Sequence, residues 1–254
     1  MDYAICVVSA AAVRSEPDHR REMINQLLFG ETVEVLETKE EWLRIKSLYD
    51  DYEGWITVHF VESINKEVAT AFCTYVTTGL LNPVTLPKQL LNLPMGSSLT
   101  GFSEESRLLW DEKHKYHGTY RNVLQSFNTD LFWSTVHTWL NAPYLWGGRT
   151  FMGVDCSGFT QVVFKILGIL LKRDACQQAE QGSLIKTIKK SVLGDLAFFN
   201  NSDDKIIHVG IVLNDHKIIH ASGKVRIDKL DEEGIINLQT ATRTHNLHSI
   251  RRYF

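Results

Sequence analysis

The chain has 254 residues, of which 44% are hydrophobic and 22% charged, with a formal net charge of -3 and an isoelectric point near 6.4. This balance is typical of a globular protein long enough for two or three domains. It gives no electrostatic reason to expect a nucleic-acid partner, and no apolar segment is long enough to cross a bilayer.

Four cysteines, at positions 6, 73, 156 and 176, are widely spaced and form no CxxC pair. This spacing favours free thiols in a reducing compartment over a disulfide framework or a zinc ribbon. The first residues, MDYAICVVSAAAVRSEP, have no Lys or Arg ahead of their apolar patch, which is typical of a β-strand rather than of a signal peptide. We therefore expect a cytoplasmic protein, with export as the alternative if a leader peptide lies outside this sequence.

Residues 1–64 are predicted to be all-β, because short alternating runs are separated by turn signals. The segments LLFGETVEVLE, EWLRI and EGWI resemble the bacterial SH3-like domain, which implies a small β-barrel. Residues 65–127 repeat this pattern more weakly, since LLNLPMGSSL resembles LLFGETVEVL. We predict a second, diverged SH3-like domain there, and an ordinary β-rich spacer is the alternative.

Residues 128–254 are predicted to form an α+β unit, because helical periodicity comes first and strands follow. DLFWSTVHTWL has an apolar helical face, and the break at Asn141, Ala142 and Pro143 ends that helix. A second helix begins near Cys156 and is terminated by Gly168. The remaining runs, among them LAFF, HVGIVL and KIIHAS, have strand character.

Cys156 is the candidate nucleophile, since it stands where an apolar helical repeat begins. Unpaired N–H groups and the helix dipole at that position favour the thiolate over the thiol. A cysteine nucleophile needs a base and a third group that orients the base. His208 opens one strand and His220 lies on the next, so an antiparallel hairpin can bring both imidazoles to the helix terminus. The alternative is a small apolar cysteine in a core.

The motifs YLWGG, VDCSGF, GDLAFF, HVGIVL and IIHASG, in this order, resemble the NlpC-type cell-wall peptidases, a papain-like family. The resemblance covers residues 130–254 and implies a nucleophile at Cys156, a base at His208 and a third polar residue at His220. It also implies an oxyanion-site tyrosine at Tyr144, and it makes Asp155 and Ser157 part of the substrate site. An acid such as Asp155 could bind a substrate ammonium group, while Trp146 is either core or pocket wall.

NlpC-type peptidases with N-terminal SH3-like domains include γ-D-glutamyl-L-diamino-acid endopeptidases of murein-peptide recycling, and the whole chain resembles that arrangement. In such enzymes the first barrel helps to read the free N-terminal L-Ala of the peptide. Our candidates for this contribution are Glu22 and Tyr52, with Glu16, Glu31 and Tyr49 as rivals.

The sequence thus predicts an α+β, papain-like NlpC-type catalytic domain behind two small β-barrel SH3-like domains. We expect a monomeric cysteine peptidase that acts on murein peptides, without a metal or another cofactor. An acyltransferase of the same superfamily and a non-catalytic wall-binding module are the alternatives.

Overall fold

A computed structural model describes residues 1–126, 128–214 and 216–254. The first unit is an antiparallel sheet of seven strands in the order β3-β2-β6-β5-β4-β1-β7. Its strands are β1 (Tyr3–Cys6), β2 (Ala10–Arg14), β3 (Met23–Leu28), β4 (Thr32–Lys39), β5 (Trp42–Ser47), β6 (Glu53–Thr57) and β7 (Val61–Ser63). Alternating residues such as Val13, Val33, Ile45 and Ile56 point to one side and form its apolar core, as period-2 patterning requires.

The second unit begins with a short helix and continues as two small antiparallel sheets, β10-β9-β11 and β12-β8. Its elements are α1 (Lys66–Thr70), β8 (Tyr75–Thr77), β9 (Leu81–Leu86), β10 (Gln89–Pro94), β11 (Lys115–Tyr116) and β12 (Tyr120–Asn122). Phe29 of the first unit is buried in its core beside Val84, Leu93 and Tyr116, so the two units share packing. That this unit is a second SH3-like domain stays a prediction, and its predicted end at residue 127 lies outside the described residues.

The third unit places helices before a strand-rich half. Its first elements are α2 (Thr129–Thr138), β13 (Arg149–Thr150), β14 (Gly153–Val154), α3 (Cys156–Ile166) and α4 (Ala175–Glu180). Its later strands are β15 (Ser183–Ile185), β16 (Leu196–Asn200), β17 (Ile206–Leu213), β18 (Lys217–Ser222), β19 (Lys224–Asp231), β20 (Gly234–Ile236) and β21 (Arg243–Arg252). Because β20 pairs with both β19 and β21, strands β16 to β21 close into a six-stranded barrel.

Helix α3 is the central element of this unit, and all eleven of its residues are buried. The Asp155 side chain caps its first turn by accepting a hydrogen bond from the Gly158 N–H, and Gly168 ends it with a φ of 84°. The helix packs on β17 and β18, where Val209, Ile211 and Ile219 join its core. The alternate residues of these strands, such as Val212, belong to a separate cluster with Phe199 and Leu230.

A buried ion-pair network joins the three units around α3. Glu31 of the first unit is 2% exposed and pairs with Arg149 at 2.7 Å and with Lys165 of α3 at 2.6 Å. Lys165 Nζ also donates to the Ser98 Oγ of the second unit at 2.9 Å. Burial alone would raise the pKa of Glu31, but the two cations lower it to about 2. The network therefore fixes the first unit against the helix that begins at Cys156.

In the part of the chain that the structure describes, no helix has both the length and the apolar character that a membrane crossing requires.

Candidate active site

Cys156 is the first residue of α3 and is only 7% exposed. The ladder between β17 and β18 begins at the pair Gly210–His220, and the Cys156 thiol hydrogen-bonds with the backbone of Val209, one residue before that ladder. Cys156 therefore lies next to β17 at Val209, the residue that follows His208 in the chain.

Burial opposes the resting thiolate that the sequence predicts for Cys156. Burial raises the pKa of the Cys156 thiol to about 12, and the Asp155 carboxylate adds to the increase. Backbone hydrogen bonds with Val209 and Ser157 and the charge of Arg173 lower the pKa only in part. The helix terminus favours the thiolate, but desolvation of a nearly enclosed sulfur outweighs it.

The two predicted histidines are brought together. His208 Nε2 lies 2.8 Å from His220 Nδ1, and both rings are almost completely buried. Burial lowers the pKa of His208 well below its usual value, and the neighbouring His220 and His245 rings lower it further. A neutral imidazole can accept a proton, so His208 is the candidate base for Cys156.

Two further residues of this cluster were not predicted from the sequence. His220 Nε2 lies 3.1 Å from Oδ2 of Asp228 on β19, which extends the chain of hydrogen bonds to a buried carboxylate. The His245 ring of β21 stacks on His208, with ring centroids 4.2 Å apart and an interplanar angle of 25°. Strand alternation gave no signal for Asp228, because in KVRIDKL it stands at a polar position between the apolar Val225 and Ile227 and the later Leu230.

Tyr144 lies in the segment before α3, close enough to Cys156 to interact with it electrostatically. Its backbone N–H donates to the Gly223 carbonyl, and its side chain is 36% exposed. Burial raises the pKa of the Tyr144 hydroxyl to about 12, and the charges of Cys156 and Asp155 contribute to the increase. The hydroxyl therefore stays protonated and can donate a hydrogen bond near the sulfur.

Asp155 does not have the predicted freedom to bind an ammonium group. Its Oδ1 accepts from the Gly158 N–H, and its Oδ2 accepts from the Gly147 N–H at 2.8 Å. Arg173 donates to both oxygens, at 3.0 and 2.6 Å. The carboxylate therefore caps the helix and holds Arg173, which sequence reasoning did not identify.

Arg173 connects the first turn of α3 to the first unit. Its Nη1 donates to the Ser157 Oγ at 2.9 Å, and its Nε donates to the Asn25 Oδ1 of β3 at 2.7 Å. Ser157 is thus buried as a partner of Arg173. Gly147, in the loop ahead of α3, has a φ of 76°, and an added Cβ would lie 2.5 Å from the Met23 carbonyl oxygen. Only glycine permits this close approach between loop and barrel.

The predicted residues of the first unit do reach this region. Trp146 is 60% exposed, and its Nε1 donates to Glu22 Oε1 at 2.6 Å, so it does not lie in the core. Tyr52 is half-buried, and its hydroxyl hydrogen-bonds with Asp174, the residue after Arg173. Burial raises the pKa of Tyr52 to about 12, and the pKa of Asp174 is also raised by burial.

The alternative candidates for reading the amino end, Glu16, Glu31 and Tyr49, have other partners. Glu31 is enclosed in the ion-pair network, and Lys165 Nζ lies 4.8 Å from the centre of the Tyr49 ring. Glu16 is exposed and pairs with Arg21. Among the described residues, no group of three or more histidine, cysteine, aspartate or glutamate side chains could hold a metal ion.

Comparisons with known proteins agree with this architecture. Residues 141–244 match the NlpC/P60 family, and residues 13–59 match the bacterial dipeptidyl-peptidase Sh3 domain. The chain is 25% identical over 272 residues to a dipeptidyl-peptidase 6 of Lysinibacillus sphaericus, covering 91% of this chain and 92% of that protein. It is 28% identical to a γ-D-glutamyl-L-lysine dipeptidyl-peptidase of Bacillus subtilis, covering 77% of this chain and 71% of that protein.

A crystal structure of an NlpC/P60 family protein from Bacillus cereus superposes with a TM-score of 0.83 and 22% identity over 99% of each chain. The likeness shows a shared fold. It confirms the predicted α+β class, with an SH3-like N-terminal unit ahead of a papain-like unit. The relatives support a peptidase that acts on a murein-derived substrate. The chain therefore carries an NlpC/P60 peptidase domain behind a bacterial dipeptidyl-peptidase SH3 domain.

Proposed function

We propose that this protein is a cysteine peptidase that hydrolyses the γ-D-glutamyl-L-diamino-acid bond of murein peptides with a free N-terminal L-Ala. Two observations carry the proposal: the Cys156 thiol at the start of α3 hydrogen-bonds with Val209, and the residue before Val209, His208, is hydrogen-bonded to His220. The relatives named for γ-D-glutamyl-L-lysine dipeptidyl-peptidase activity support the substrate class.

The first chemical step transfers the Cys156 proton to His208 as the sulfur attacks the amide carbon. The new C–S bond forms while the carbonyl oxygen becomes an oxyanion, which the Cys156 N–H and the Tyr144 hydroxyl stabilise. The His208 imidazolium then protonates the departing amine of the diamino acid, and the C–N bond breaks. Water attacks the resulting thioester with His208 as its base, which releases the second product and restores the thiol.

Formation of the thiolate is coupled to substrate binding in this scheme. Burial favours the thiol form of Cys156 and the neutral ring of His208, so it opposes an ion pair between them in the free site. The charges are created only when an amide carbon is in place to receive the sulfur. This arrangement protects the thiol of the free enzyme from other electrophiles, since the thiolate is the reactive form.

We assign recognition of the amino end to the boundary between the first and third units, where Glu22 and Tyr52 meet Trp146 and Asp174. This boundary is called the wall. Glu22 keeps a carboxylate oxygen beyond the one that accepts from Trp146, and Asp174 lies within hydrogen-bonding distance of Tyr52. Two carboxylates and a hydroxyl are suitable partners for a primary ammonium group. Asp174 takes the role that the sequence had suggested for Asp155.

With this wall in place, specificity depends on which peptides can reach Cys156. A short peptide can place its ammonium group against Glu22, whereas a stem peptide linked to glycan at that end has no ammonium group and has a bulky substituent instead. We therefore propose a role in the recycling of released peptides within the cytoplasm rather than in cutting intact wall.

The test is product analysis with L-Ala-γ-D-Glu-L-Lys and with its meso-diaminopimelate counterpart. We expect mass spectrometry to detect free L-Ala-D-Glu with the wild-type protein and none with the matched Cys156→Ala variant. Binding to sacculi without release of the dipeptide would contradict the proposal in favour of a wall-binding module. Transfer of the dipeptide to an added amine in place of water would contradict it in favour of an acyltransferase.

A further inference from the structure

Asp228 ends a continuous chain of hydrogen bonds that starts at the catalytic base. His208 Nε2 lies 2.8 Å from His220 Nδ1, and His220 Nε2 lies 3.1 Å from Asp228 Oδ2. The three residues lie on the neighbouring strands β17, β18 and β19, where Gly210 pairs with His220 and Ile218 pairs with Asp228. Short hairpins therefore hold the three side chains in one row.

The surroundings of Asp228 keep it ionised. It is 1% exposed, and its Oδ1 accepts from the Leu238 N–H at 2.9 Å and from Arg226 Nη2 at 3.0 Å. Arg226 Nε forms an ion pair with Oδ2 at 2.8 Å. Burial alone would raise the pKa of the Asp228 carboxyl, but hydrogen bonds from His220, Leu238 and Arg226 lower it below its usual value.

An ionised carboxylate can only accept hydrogen bonds, and this decides where the protons lie. Its neighbour His220 must carry a proton on Nε2, so in the neutral ring Nδ1 has the lone pair. That lone pair accepts from Nε2–H of His208, which leaves Nδ1 of His208 as the nitrogen without a proton. A base acts through such a lone pair.

We infer that Asp228 is a positioning residue that fixes the tautomers of both histidines and thereby makes Nδ1 of His208 the base for Cys156. The inference rests on the proposed function and deepens it. His220 transmits the proton order to His208, and the negative charge that sets this order is that of Asp228. When His208 becomes an imidazolium, the carboxylate stabilises that charge through the intervening ring.

The amide in Asp228→Asn would reverse this order of protons. Oδ1 faces two obligatory donors, Leu238 N–H and Arg226 Nη2, whereas Oδ2 faces one, Arg226 Nε, besides the His220 ring, so the amide oxygen belongs at the Oδ1 position. The amide nitrogen then faces His220 Nε2 and donates to it. His220 would carry its proton on Nδ1 and donate to His208, so that the proton of His208 moves to Nδ1. The base then lacks its lone pair on the side of the sulfur.

The experiment compares Asp228→Asn, Asp228→Ala and the control Asp231→Asn. Asp231 lies on the same strand and pairs with its own arginine, Arg243, so its variant reproduces the loss of a charge away from the histidines. We expect Asp228→Asn to lower kcat by ~10²–10⁴-fold with KM little changed, and to be at least as impaired as Asp228→Ala. A merely structural aspartate would give the opposite order, because asparagine keeps the shape that alanine removes.

Nitrogen-15 NMR of the imidazole rings gives a readout that requires no substrate. The wild-type protein should show Nε2–H tautomers for His208 and His220, and Asp228→Asn should convert both to Nδ1–H. Unchanged tautomers in this variant, or Nδ1–H tautomers in the wild type, would overturn the inference. If the wild type cleaves no murein peptide, the proposed function fails, and the NMR comparison still decides the role of Asp228.

Discussion

The catalytic centre proposed around His208 and the wall at Glu22 and Trp146 are held together in different ways. His208, His220 and Asp228 lie on consecutive antiparallel strands, with 12 and 8 positions between bonded partners. Glu22 and Trp146 are 124 positions apart, and Glu31 and Lys165 are 134 apart. The centre is therefore formed within one unit, whereas the wall exists only when the first unit docks. Substitutions in the two regions should separate loss of chemistry from loss of stability and recognition.

The largest effect is expected at the centre. Cys156→Ser should lower kcat by ~10³-fold or more, because the hydroxyl is a far weaker nucleophile at neutral pH. The melting temperature should change little, because one small buried atom replaces another. The exposed Cys176 supplies the control, and Cys176→Ser should retain full activity. Near wild-type turnover of Cys156→Ser would refute the nucleophile.

Glu31→Gln should damage the docking of the first unit instead. It leaves Arg149 and Lys165 buried with a neutral partner, which typically costs ~3–5 kcal/mol. Urea unfolding should show this loss, with Glu37→Gln on the exposed part of β4 as the control. A loss below about 1 kcal/mol would mean that the network adds little to docking.

The same variant should also alter stability in acid. The pKa of Glu31 is depressed to about 2 in the folded protein, so its contribution is complete above the unfolded value of 4.5 and is lost as the pH falls toward 2. The unfolding free energy of the wild type should therefore fall through this window more steeply than that of Glu31→Gln. Equal slopes would contradict the assignment of this pKa.

Glu22→Gln should affect recognition with little effect on folding. Glutamine can still accept from Trp146, but the negative charge for an ammonium group is gone. Loss of a charged hydrogen bond predicts a decrease in kcat/KM of ~10–100-fold for a peptide with a free amino end. Glu16→Gln on the same unit is the control. Equal kinetics for the two variants would place ammonium recognition elsewhere.

The smallest effect concerns the His245 ring over His208. Burial lowers the pKa of His245 to about 4, so its neutral state contributes stability above the unfolded value of 6.5 that is lost as the pH falls toward 4. Between pH 7 and pH 5 the melting temperature of the wild type should fall by ~2–4 °C more than that of His245→Gln. The exposed His248 provides the control, and a wild-type profile parallel to His245→Gln would contradict the shift.

The sequence could predict features that lie within one unit, but not those that form when the first unit docks. Cys156, His208 and His220 stand in short motifs whose helix and strand character can be predicted locally, and so could the contact between the two histidines. The thiolate prediction rests on the helix start alone, because a sequence does not show that burial of the sulfur opposes the charge. Asp155 precedes that helix and could have been assigned as its N-cap. The link from Glu22 to Trp146 depends on docking over 124 positions, which no local pattern encodes.

The central claim is that Cys156 acts on peptides whose free amino end the first unit has read. The direct measurement is kcat/KM of the wild-type protein for L-Ala-γ-D-Glu-L-Lys and for the same peptide N-acetylated on L-Ala. Acetylation removes the charge and adds bulk at the wall, so we predict a decrease of ~100-fold or more, corresponding to about 3 kcal/mol. In Glu22→Gln the difference between the two peptides should shrink. Equal cleavage of free and acetylated peptide by the wild type would contradict the account.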